Sequence, residues 1–388
     1  MEAVDIIVIG AGMAGASVAA ELSVSAKVLL LEKEARPGYH STGRSAAAYI
    51  PSYGFENTAL RILTKESRAY LQAPPDVFQV PTTLRQRGLL TLYSTGAQAR
   101  LESDRKNLQQ LFSDISLVDT DFIRDRIPAI RDEYAIAGLY EPDVFDLDVH
   151  ALHEGYLRML GKHGGQLVTG VNINKIGFRA DRWQVDTSAA SYSAPLLVNA
   201  AGAWADEIAA LAGVREIGLV PKRRTAVLIA PPQDCDVSQW PLAMSATGNF
   251  YFKPEAGLLL VSPADEHPSA PCDTQAEDLD IAYAVDFAEQ SLNLTVTQVK
   301  HSWAGLRNFV ADRTPVIGFA ADVSGFFWLA GQGGHGIQTA PATARLAASL
   351  ILNNQIPDNL KCNGFDPAWV SPARLLPDGA AKTGYLSN

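Results

Sequence analysis

"VDIIVIGAGMAGASVAAEL", Val4–Leu22, decides the fold. Its first six residues are mostly β-branched and stop at a glycine, which reads as a buried strand. "AGASVAAEL" is small and helix-favouring. Between the two, Gly10, Gly12 and Gly15 fit G-x-G-x-x-G. Gly10 permits a tight turn, Gly12 lets a pyrophosphate approach the backbone, and Gly15 lets the helix pack closely on the strand. The helix N-terminus then presents N–H groups and the positive end of its dipole to phosphate. A second strand, "AKVLLLEKE", follows at βαβ distance and carries Glu32, placed to accept the adenosine ribose hydroxyls. The glycine turn alone would suit any α/β unit. Strand, turn, helix, strand and terminal acid together predict a dinucleotide site on a Rossmann-like unit.

A nicotinamide dehydrogenase would continue with alternating strands and helices. This chain passes instead into "PGYHSTGRSAAAYIPSYG", Pro37–Gly54, whose small residues look like linker. A linker has no need of three tyrosines, and a buried element has no use for Arg44. Strand-and-glycine patterns return only near residues 195–204 and 327–340. The intervening chain holds helical stretches at residues 55–75, 98–112 and 148–165, the last capped by Asp148 and ended by Gly164. "LRQRGLLTLYST" reads as a strand pair around Gly88. Strands dominate from Gly218 to Val310, with a hairpin turn in "KPEAG". "CDTQAEDLD" reads as an acidic surface segment.

The expected fold class is therefore α/β: a discontinuous Rossmann-like cofactor domain (1–84, 143–217 and 305–388) with a substrate domain on a mainly antiparallel sheet (85–142 and 218–304). The site falls in the cleft between them.

Composition sets limits. The 388 residues are 47% hydrophobic and 19% charged, with net charge -10. Nucleic-acid binding needs a basic face, so no nucleic-acid partner is expected. Three scattered cysteines, Cys235, Cys272 and Cys362, form neither a disulfide framework nor a zinc pattern. His150, His153 and Glu154 have helical spacing but no third convergent ligand; they read as a solvated helix face, and no metal is expected. The acidic, glycine-interrupted N-terminus does not fit a signal peptide, and no apolar run spans a bilayer. A cytoplasmic protein is expected, with peripheral attachment to the inner membrane left open.

Five motifs in order, GAGMAG with Glu32, "STGRSAA", "VNAAGAWADEIAALAG", "GLRNFVADRTPVIG" and "GQGGHGIQTAPA", resemble those of the FAD-dependent D-amino acid oxidase/glycine oxidase superfamily. Within it they are most similar to bacterial D-arginine dehydrogenases. The resemblance runs over nearly the whole chain and implies non-covalent FAD. It places Gly10, Gly12, Ala14, Gly15, Glu32 and Lys33 at the ADP portion and Val171 at the adenine. Ser41, Thr42, Arg44, Ser45, Ala46, Ala47 and Ala48 lie along the pyrophosphate and flavin, where Arg44 would face the anionic cofactor. Gly333, Gly334, His335, Gly336 and Ile337 form the loop under the flavin ring. The helix beginning near Thr339 would aim its N-terminus at negative charge developing there.

The resemblance also implies oxidation of an amino-acid C–N bond to an imine by hydride transfer to flavin. Arg224, Arg307 and Tyr251 match a carboxylate clamp, a task suited to arginine's planar fork. Strand alternation in "PKRRT" puts Lys222 and Arg224 on one face and Arg223 on the other. Tyr53 matches a tyrosine that encloses the substrate.

Departures from the pattern lie at Ala48, Ile50 and Gly88. Arginine-specific relatives have a histidine at the first and a guanidinium-reading glutamate at the last. An unpaired cationic side chain is costly to bury. The expected substrate is a D-amino acid or N-substituted amino acid, not arginine. The alternatives are a sarcosine/glycine-oxidase-like amine oxidase, or a flavin-bearing subunit of a larger oxidoreductase. Quinone, another carrier and oxygen all stay open as electron acceptor.

Overall fold

The computed structural model describes residues 2–376; Met1 and residues 377–388 of the expected cofactor domain lie outside them. A six-stranded sheet carries the Gly-rich turn. Its order is Gln166–Val168, Val28–Leu31, Ile6–Ile9, Leu196–Asn199, Phe326–Ala330, Val316–Phe319. All neighbours are parallel except the last pair. Ile6–Ile9, Val28–Leu31 and Phe326–Ala330 are apolar throughout because both of their faces are covered, as parallel sheets require. Alternation sorts the two sides. Ile6, Val8, Val28 and Leu30 pack on the helices Met13–Ser23, Val149–Lys162 and Ala340–Asn353. Ile7, Ile9, Leu29 and Leu31 pack on a small four-stranded sheet around the fully buried Trp183.

The second large sheet has nine strands, drawn from residues 89–141 and 220–309. Every pairing in it is antiparallel except Leu242–Ser245 beside Leu89–Tyr93. Tyr251–Glu255 and Leu258–Ser262 form the expected hairpin; Ala256 and Gly257 turn it with φ of 50° and 80°, the doubly positive geometry that matches strand twist. Val299–Phe309 pairs with Val220–Ile229 along its whole length and crosses the expected boundary at 305. It thus belongs to the nine-stranded sheet while its end reaches the cofactor side.

Two local expectations change. The strands flanking Gly88 do not pair with each other. Leu84–Gln86 joins Phe145–Leu147 in a three-stranded sheet, whereas Leu89–Tyr93 joins the nine-stranded one. Gly88 makes the break with φ of 74°. The acidic segment is also more than surface. It leads into a helix, Asp278–Ser291, and Asp280 is buried against Arg223 at 2.9 Å. Arg223 therefore does face away from Lys222 and Arg224, both of which meet Glu266. Among the described residues no helix is long and apolar enough to cross a membrane.

Candidate active site

A cavity of about 800 Å³ runs from the carboxyl ends of the parallel strands to the nine-stranded sheet. Its walls at one end are Ile9, Gly10, Gly12, Leu31 and Ala200; at the other they are Arg224, Tyr251, Met244 and Phe250. This is the place where open α/β sheets hold ligands.

The glycine turn is packed to its limit. A Cβ on Gly15 would lie 1.8 Å from the Gly10 carbonyl oxygen, and one on Gly10 would lie 2.5 Å from that of Ala200. Gly12, the residue before the helix Met13–Ser23, has no side chain to cap it. Thr42 Oγ1 instead accepts from Met13 N at 2.9 Å, crossing from the segment that begins at Pro37. Glu32 holds the turn from the other strand. One carboxylate oxygen accepts from Ala11 N at 2.7 Å and the other from Glu34 N at 2.9 Å. Each oxygen keeps a lone pair for a hydroxyl. A helix N-terminus on a Cβ-free cradle, with an acid beside it, fits the ADP portion of FAD.

His153 corrects the sequence reading. It is buried beneath this turn, not on a solvated face: its Nε2 donates to the Ala11 carbonyl at 2.9 Å. Burial lowers its pKa, so the ring is neutral at physiological pH. Among the described residues no group of three or more His, Cys, Asp and Glu side chains can hold a metal.

The segment Pro37–Gly54 lies against the cavity. Gly38–Thr42, Arg44–Ala48, Ile50 and Tyr53 all line it. Ser41 Oγ donates to the Leu306 carbonyl at 2.6 Å, and Trp303 Nε1 to the Arg44 carbonyl at 2.9 Å. Arg44 lines the cavity and is also bound by protein groups. Its guanidinium donates to the carbonyls of Thr274 (2.8 Å) and Ala304 (3.2 Å) and pairs with the Asp273 carboxylate. That charge is already matched by protein, so Arg44 straps the segment to the acidic loop. At the far end Val171, Asn172 and Trp204 line the cavity, with Lys33 Nζ 3.2 Å above the Trp204 ring. Trp204 sits in "GAWADE" but its ring was not singled out, because only the fold brings Lys33 to it.

At the other end Arg307 and Arg224 converge. Arg307 Nη1 donates to Tyr53 Oη at 3.3 Å. Burial works against its charge, but Tyr53, Tyr251 and Glu266 keep its pKa raised. Arg224 is destabilised by burial and then by Arg307. It gives one hydrogen bond to Glu266 at 3.2 Å, and its Nε has no partner among the described residues. Glu266, missed in the sequence, also takes both guanidinium nitrogens of Arg313 at 3.0 and 2.9 Å. Arg224 thus shares Glu266 with Arg313 and Lys222, while Arg307 meets Tyr53, and an incoming anion would complete the two arginines.

Ala48, Ile50, Leu242, Met244 and Phe250 form an apolar wall beside this pair. Gly88 is not part of that wall. Its carbonyl accepts from Leu242 N at 3.0 Å, and a Cβ there would lie 2.7 Å from Tyr140 Oη. Position 88 supports the wall from behind. Gly333, Gly334, Gly336 and Ile337 line the cavity as expected, whereas the His335 ring turns behind it onto Tyr53.

Glu141 was also missed. It is buried at the end of its strand and accepts from Ser52 N at 3.2 Å and from Ser52 Oγ. Burial pushes its pKa up to about 7, against the pull of the Ser52 bonds. His335 moves oppositely: burial, then Arg307, lowers it to about 4. Between pH 4.5 and 7 the folded chain binds Glu141's proton more tightly than the unfolded one, so Glu141 costs stability as pH rises through that window. Between 6.5 and 4 the unfolded chain protonates the histidine first, so His335 costs stability as pH falls. Glu141→Gln is therefore expected to raise unfolding free energy at pH 8 by on the order of 2 kcal/mol and to leave it unchanged at pH 4.5. Urea unfolding at the two pH values checks this.

The DAO family, FAD dependent oxidoreductase, matches residues 5–350. FAD-dependent oxidoreductase domain-containing protein 1 of Xenopus laevis is 21% identical over 427 residues, covering 95% of this chain and 83% of that protein. The solved glycine oxidase of Geobacillus kaustophilus superposes with TM-score 0.82 at 21% identity, covering 96% of this chain and 99% of that one. L-proline dehydrogenase from P. horikoshii gives TM-score 0.80 at 20% identity, with 96% and 98% covered. With that match over most of its length, and a glycine cradle, acid and cavity that fit FAD, the chain belongs to the DAO family of FAD-dependent oxidoreductases.

Proposed function

We propose that this oxidoreductase oxidises the C–N bond of an α-amino acid, or of an N-substituted one, with a neutral apolar side chain. FAD supplies the hydride acceptor. Residues 2–84, 143–217 and 305–376 hold the cofactor in this reading, and 85–142 with 218–304 shape the substrate side. Arg307 and Arg224 grip the substrate carboxylate, with the Tyr53 and Tyr251 side chains beside it. Gly334 keeps the loop wall thin, since a Cβ there would lie 2.8 Å from Tyr53 Oη and 3.1 Å from Arg307 Nη1. Ala48, Ile50, Leu242, Met244 and Phe250 receive the side chain and exclude water. The imine product hydrolyses to a keto acid and ammonia, or a free amine if the nitrogen was substituted.

The convergence of two guanidiniums on a cavity that also takes the flavin carries this reading. The names of the two solved structures, glycine oxidase and L-proline dehydrogenase, support an amino-acid substrate. Anaerobic mixing of the holoenzyme with leucine, N-methylleucine and isoamylamine tests it. The amino acids should bleach the flavin absorbance and isoamylamine should not. Bleaching by isoamylamine at the same concentration would remove the role assigned to the arginines.

A further inference from the structure

His335 lies in the glycine loop, yet its side chain does not face the cavity. Its backbone is fixed on both sides: its N–H donates to Gln332 O at 3.0 Å, and its carbonyl accepts from Thr339 N at 3.0 Å and Thr339 Oγ1 at 2.9 Å. The residue is 8% exposed, and its ring lies flat on Tyr53, with centroids 4.4 Å apart and planes 20° apart. Nε2 has no hydrogen-bond partner among the described residues. The ring edge fits against Gly54, where a Cβ would come within 2.6 Å of Nε2. The Tyr53 backbone carbonyl gives the ring one hydrogen-bond acceptor, Nε2 has none among the described residues, and stacking holds the flat face on the Tyr53 side chain. Tyr53 in turn presents its hydroxyl to Arg307 Nη1 at 3.3 Å.

We propose that His335 is a positioning residue for carboxylate recognition: slotted between Gly54 and Tyr53, its ring sets the angle at which the Tyr53 hydroxyl meets Arg307. This rests on the reading of Arg307 given above. The ring must stay uncharged for the task, since a cation there would compete with Arg307 for the same tyrosine.

The test uses holoenzyme labelled with meta-fluorotyrosine, whose Tyr53 resonance is identified by its loss in Tyr53→Phe. Fluorine NMR then reports Tyr53 without any ligand. Propanoate, titrated through its perturbation of the flavin spectrum, reports the clamp. His335→Ala should move the Tyr53 resonance and weaken propanoate binding about five- to tenfold, the scale of a lost aromatic pair, with FAD content unchanged. His335→Phe keeps a flat face and should restore most of both. An unmoved resonance in His335→Ala, or a resonance as displaced in His335→Phe as in His335→Ala, would overturn the proposal. Failure of wild-type holoenzyme to bind propanoate would count against the carboxylate reading instead, and the fluorine signal would still decide His335.

Discussion

Gly15→Val is expected to yield protein that purifies without FAD and does not regain it when FAD is added. The clash is backbone against side chain, 1.8 Å from the Gly10 carbonyl oxygen, so no rotamer relieves it. Gly10 cannot retreat. Its N–H is bonded to Leu31 O at 2.8 Å, and Ala200 closes the other side. The helix must therefore lift away from the sheet, carrying its N-terminal amides off the phosphate position. Overpacking of this kind typically costs about 1–3 kcal/mol in stability, and displaced amides weaken the cofactor further. The ratio of flavin to protein absorbance after gel filtration checks it. Wild-type flavin content in Gly15→Val would mean that the turn does not hold the pyrophosphate.

Arg307→Met should leave FAD content intact and reduce kcat/KM for the best amino-acid substrate by about two to three orders of magnitude. That is the scale of removing one partner from a buried, charge-assisted pair, roughly 2–5 kcal/mol. Arg307→Lys should recover only part of it, because an ammonium is a point charge and lacks the fork that meets two carboxylate oxygens. Steady-state kinetics with a parallel flavin spectrum separates the loss from cofactor loss. Arg224→Met should be milder, since Arg224 already leans on Glu266.

The cofactor half was legible because its signals are local. Gly10, Gly12, Gly15 and Glu32 state a turn, a helix start and an acid within one βαβ unit. The alternation of Lys222, Arg223 and Arg224 was legible for the same reason, through the period of a strand. What escaped depends on partners far along the chain. No local pattern shows Asp273 reaching Arg44 from 229 residues away. His153 looked solvated because helical spacing does not reveal that its face lies under Ala11. Glu141 sits between a strand and an irregular loop, and its bond to Ser52 has no sequence signature. Gly88 shows a subtler failure. Position 88 reads in the sequence as part of the side-chain pocket, but a Cβ there would meet Tyr140, and its carbonyl accepts from Leu242 N behind the cavity lining.

What the cavity wall accepts decides the substrate. The cavity end holds Arg224 and Arg307, and the Glu266 carboxylate beside Arg224 is already engaged by Arg313 and Lys222. A further cation brought in on a substrate side chain would find apolar surface and like charge. Burying it unpaired costs at least about 2 kcal/mol, or roughly thirtyfold. The most direct measurement is rapid-mixing anaerobic flavin reduction, comparing kred/Kd for the D- and L-forms of leucine and methionine with those of arginine and lysine. The better apolar enantiomer is expected to exceed arginine and lysine by thirtyfold or more. Arginine or lysine as the faster reductant would contradict it.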